Sequence, residues 1–69
     1  MSEDPRPTFR AIAQALAFNP TEYDQFNQDI QDEIRRQLTA GNTDIALDLG
    51  TIKLNANKRL YVHNRAAGK

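Results

Sequence analysis

Lys53, Lys58, Arg59, Tyr61, His63 and Arg65 all stand between positions 53 and 65 of a 69-residue chain. The chemistry open to such a set is recognition: cations neutralise phosphates or carboxylates, and an aromatic ring offers a base a platform for stacking. The chain is neutral overall, with nine basic and nine acidic residues, yet no acid falls in residues 51–69. A local excess of that kind attracts nucleic acid or an acidic protein surface even where net charge forecasts nothing. The plainer alternative is a solvated, Lys-bearing strand face that discourages edge pairing.

Bond-making chemistry finds no comparable set. Asp29, Asp32 and Glu33 are close in sequence, but they suit a solvated helix face better than an acid-base pair. His63 is the only histidine and cysteine is absent, so neither a metal centre nor a disulfide framework is expected. Three dispersed glycines cannot form a phosphate cradle. We therefore expect no catalytic residue and no cofactor. Two roles stand open: a small regulatory protein that binds nucleic acid through the six residues above, and a protein-interaction module, inhibitor or adaptor, that binds none.

The elements that must position these residues follow from apolar spacing. Residues 1–7, with Pro5 and Pro7, read as a flexible arm. Phe9, Ile12, Ala13 and Leu16 share one helical face, and Asn19-Pro20 ends that helix. A second helix of about twenty residues, near 20–40, is the clearest element. Asn19 suits its N-cap, Pro20 its first position and Glu22 a reciprocal capping contact. Tyr23, Phe26, Ile30, Ile34 and Leu38 form its apolar stripe, and Gly41 supplies a left-handed C-terminal residue.

Beyond Gly41 the spacing switches to alternation. Ile45, Leu47 and Leu49, then Ile52 and Leu54, then Leu60 and Val62 recur with period two, which predicts an antiparallel β-hairpin or three-stranded sheet near 44–64. Gly50 then marks a turn or a bulge. On that register Lys53, Arg59, Tyr61 and His63 share the outer face of a basic ribbon. A helix-turn-helix over 44–60 is the competing reading, from the Ala46–Gly50 spacing. Ile45-Ala46-Leu47-Asp48-Leu49-Gly50-Thr51 also resembles the first phosphate-binding segment of the actin and heat-shock-protein ATPase superfamily. That resemblance implies a strand turning into another strand at Gly50, but not ATP hydrolysis, which needs two lobes too large for this chain.

The fold expected is therefore α+β: two N-terminal helices packed on a small C-terminal sheet, in one domain with a frayed tail at 65–69. Its core would be Phe9, Ile12, Leu16, Phe26, Ile30, Ile34, Leu38, Ile45, Leu47, Leu49, Ile52, Leu54, Leu60 and Val62. Such a core is thin for so short a chain, so a homodimer is expected, through the long helix or a strand edge. The acidic start and the broken apolar stretch Ala11–Phe18 point to neither export nor membrane insertion, and the lack of cysteine fits the cytoplasm.

Overall fold

The structure, a computed structural model, describes residues 4–68. It consists of three α-helices: α1 (Arg6–Ala15), α2 (Pro20–Thr39) and α3 (Thr43–Gly68). Gln31 meets Lys53, Asn27 meets Asn57 and Phe18 meets His63, so α2 runs antiparallel to α3. Arg6 meets Asp48, and Arg10 and Gln14 lie level with Asn55 and Arg59, so α1 runs parallel to α3. The result is a rod 46 Å long and 16 Å across.

The caps explain where α2 begins and ends. Asn19 Oδ1 accepts the Thr21 N–H at 2.8 Å, which satisfies one of the free donors of the first turn. Glu22 reaches back, but its Oε1 accepts from the Ala17 N–H at 3.3 Å, two residues before the expected partner. At the other end Gly41 takes φ 87°, the Asn42 N–H donates to the Gln37 carbonyl and the Gly41 N–H to the Leu38 carbonyl. That is a Schellman closure, and it turns the chain straight into α3.

The α+β expectation is overturned from residue 43 onward. Among the described residues there is no strand; the segment read as a hairpin or three-stranded sheet is one helix of 26 residues. Gly50 lies inside it, so neither a strand turn nor a helix-turn-helix break occurs there, and the strand–turn–strand implied by the ATPase resemblance is absent. The physical reason is that α3 carries two apolar stripes. Ile45, Leu49, Ile52, Ala56 and Leu60 advance by three or four residues and pack inward. Leu47, Leu54 and Val62 lie outside that stripe and are exposed. Read together along the chain, two helical stripes imitate the alternation of a strand.

Arg6 and Pro7, assigned to a loose arm above, form the first turn of α1, where proline's missing N–H costs no hydrogen bond. Arg6 also ties that turn to α3: its guanidinium meets Asp4 and Asp48, each at 2.6 Å. Those two carboxylates hold the Arg6 proton above the ordinary guanidinium range, and Arg6 in turn holds the Asp4 carboxyl down to about 2. Residues 1–3 of the arm and Lys69 lie outside the described residues, and α3 continues through 65–68.

The core is built by Ala13, Tyr23, Phe26, Ile30, Leu49 and Ala56, with Phe9, Leu16, Phe18, Ile34, Ile45, Ile52 and Leu60 packed around them. Ile30 and Leu49 are fully buried, each removing apolar surface that stabilises the fold by roughly 1.5–3 kcal/mol. Ile12, Leu38, Leu47, Leu54 and Val62, expected inside, lie on the surface. Beside the core a polar seam joins α2 to α3. Asn27 and Asn57 exchange amide hydrogen bonds at 2.8 and 3.1 Å, and Lys53 Nζ donates to Gln31 Oε1 at 2.9 Å.

Candidate interaction surface on the third helix

A helix advances 100° per residue, so the six residues expected on one ribbon face are dispersed around α3. Lys53 turns toward α2 and is held by Gln31. Arg59 faces α1, where it lines a groove with Arg10, Gln14 and Asn55. His63 lies flat on Phe18, ring centroids 4.1 Å apart. Only Lys58, Tyr61 and Arg65 keep a common outer face. There the Arg65 guanidinium sits 6.0 Å from the Tyr61 ring centroid and donates to the Tyr61 hydroxyl at 3.4 Å. The six residues thus form no single ribbon face but fall into four environments, and Lys58, Arg59 and His63 come together only at the edge of a groove beside Phe18.

The same outer face holds residues that the alternating pattern assigned to the core. Leu47 and Leu54 are each 68% exposed and Tyr61 is 60% exposed. They recur every seven residues, so they line up along the helix with a drift of about 20° per heptad. Leu49 and Ala56, buried to 0% and 1%, lie on the opposite side. The seven-residue interval was visible in the sequence, but Leu49, Ile52 and Leu60 between its members masked it. Thr51, Lys58 and Arg65 fill the positions that alternate with this stripe, and all three are exposed. The row supplies one apolar position per heptad, and Thr51, Lys58 and Arg65 stand where a coiled-coil seam would carry its second.

Two grooves meet α3 at Arg59. One is lined mainly by apolar atoms, between Phe18 and the Lys58, Arg59, Val62 and His63 side of α3. The other is the Arg10, Gln14, Asn55 and Arg59 groove, which can offer two guanidinium forks and two amides to an anion. Arg10 and Gln14 were not singled out in the sequence because they stand more than forty residues from Asn55 and Arg59, and only the parallel packing of α1 on α3 brings them level. Among the described residues no group of three His, Asp or Glu side chains could hold a metal ion, and no helix is long and apolar enough to cross a membrane. No protein-family model matches the chain, and no curated protein or solved structure matches it.

Proposed function

We propose that this chain is a non-enzymatic interaction module whose working surface is the outer face of α3. The observation that carries the reading is the exposed row of Leu47, Leu54 and Tyr61 on the side of α3 turned away from the core. Isolated exposed apolar residues need no explanation, but an ordered apolar row on one helix face marks a contact surface. Recognition would follow the helix-to-helix mode, with apolar anchors every two turns and Lys58 and Arg65, interleaved with them on the same face, setting partner choice. The test is partner capture by the whole protein and by Leu47→Lys, Leu54→Lys and Tyr61→Lys variants. Each should weaken capture at least tenfold, while Asp24→Lys on the solvated face of α2 should not. Equal capture by all four would end the reading.

A second reading, nucleic-acid binding, is favoured by the convergence of Arg10 and Arg59 across the α1/α3 groove. Together with Lys58 they would neutralise two or three phosphates. Affinity should then fall steeply as salt rises, and Arg59→Glu should abolish it. No affinity for mixed DNA or RNA at low salt would remove this reading and leave the first intact.

A further inference from the structure

We infer that the occupant of the α3 outer face is α3 of a second copy of this chain, packed antiparallel about a two-fold axis at Leu54. This rests on the reading of that face as an interaction surface and names its partner. Leu47 and Tyr61 stand seven residues on either side of Leu54, so the row is symmetric about its own centre. Under a two-fold axis through that point Leu54 meets its own copy, and Leu47 meets Tyr61 of the second copy at both ends. A patch that is complementary to itself is what an isologous dimer requires.

Charge decides between the two orientations. The acids of α3, Asp44 and Asp48, lie before Gly50, and its bases, Lys53, Lys58, Arg59 and Arg65, all lie after it. Parallel packing would set like charges side by side along the whole helix. Antiparallel packing brings Asp44 within one residue of the level of Arg65 of the second copy, twice over. The helix dipoles favour the same orientation. Asp44 forms no ion pair among the described residues, and the carboxylate of Asp48 is the one already engaged by Arg6.

The size of the face sets the strength. A helix of 26 residues is about 39 Å long, and a strip about 10 Å wide along it covers about 400 Å² per copy, half the usual contact of a stable complex. The dimer is therefore a reversible one, with dissociation expected at roughly 1–100 µM. The two copies would cover the three most exposed of the large apolar side chains in a chain that buries only seven hydrophobic residues among those described.

Sedimentation and short bis-maleimide cross-linking test this on the full chain, which has no cysteine of its own. Mass should rise from 7.8 kDa toward twice that value between low and high micromolar concentration. Leu54→Lys, which sets two charges against each other on the axis, should stay monomeric with unchanged helix content. Leu54→Cys alone should cross-link to itself. Leu47→Cys and Tyr61→Cys should cross-link when mixed, and neither should do so alone. Self-cross-linking of Leu47→Cys and of Tyr61→Cys would overturn the antiparallel arrangement in favour of a parallel one. A monomer up to about 500 µM, well above the expected range, would overturn the dimer. If capture of another protein still depended on Leu54 in that case, the interaction surface would survive and only the second copy would fall.

Discussion

The rings of Phe18 and His63 stack with centroids 4.1 Å apart and planes 4° from parallel, joining the α1–α2 connection to the last turns of α3. Phe18 holds this position at φ 56°, a left-handed conformation that costs a bulky residue roughly 1–2 kcal/mol. The stack, with Tyr23 on the same ring at 6.5 Å, is what offsets that cost. A contact between residues this far apart in the chain also fixes how far along α3 the start of α2 is seated.

A double-mutant cycle on this pair should therefore give a coupling of about 1 kcal/mol. His63→Ala loses the stack alone. Phe18→Ala loses the stack, the contact with Tyr23 and part of the apolar packing while keeping the left-handed backbone, so its melting temperature should fall further. Additive losses, measured by thermal unfolding of the two single variants and the double, would mean that the stack carries no energy of its own.

Tyr23 is 1% exposed and its hydroxyl has no hydrogen-bond partner among the described residues. A buried hydroxyl left unpaired costs about 1–3 kcal/mol, whereas the ring itself contributes to the core. Tyr23→Phe keeps the ring and removes the oxygen. Chemical denaturation should find this variant at least as stable as the parent; a clear loss of stability would show that the hydroxyl is satisfied.

How much of this fold was legible in the sequence depends on the helix. In α2 the apolar residues form one stripe and the caps, Asn19 and Gly41, are of the residue types that helix ends demand, so the element and both its boundaries could be read. In α3 the inward stripe is diluted by Ala46 and Ala56, whose small side chains give a weak signal, and by Lys53 and Asn57, polar residues committed to partners on α2. The strong apolar residues Leu47 and Leu54 belong to the other stripe. Period two emerged from summing two faces, and hydrophobicity alone cannot separate them. The candidate site was legible as a set of residue types and not as a surface: strand geometry gathers alternate residues, and a helix scatters them.

Gly50 suits a turn or a bulge on the alternating pattern, but its actual surroundings predict a stabilising change. It lies inside α3, and a Cβ built there would meet nothing within 4 Å. Glycine inside a helix costs about 0.8–1 kcal/mol relative to alanine, largely through the freedom it retains when unfolded. Gly50→Ala should raise stability by about that amount, which for a chain of this size corresponds to a melting temperature about 4–8 °C higher. A lower melting temperature would place a close neighbour at Gly50.

The Asp4–Arg6–Asp48 cluster gives the start of α1 a dependence on pH. Arg6 side-chain hydrogen bonds, followed by the Arg6 backbone N–H, lower the Asp4 carboxyl from 3.8 to about 2. A carboxyl whose folded value is depressed binds its proton more readily when unfolded, so its ionised form favours folding. That contribution is complete above about pH 4 and is lost as the pH falls toward 2. Both groups face solvent, so the effect is small and screened by salt. Asp4→Asn should consequently melt below the parent at pH 5 in dilute buffer and together with it at pH 2, and added salt should narrow the difference at pH 5. A difference that stayed constant across this range would mean that Asp4 acts through its backbone geometry at the α1 start and not through its charge.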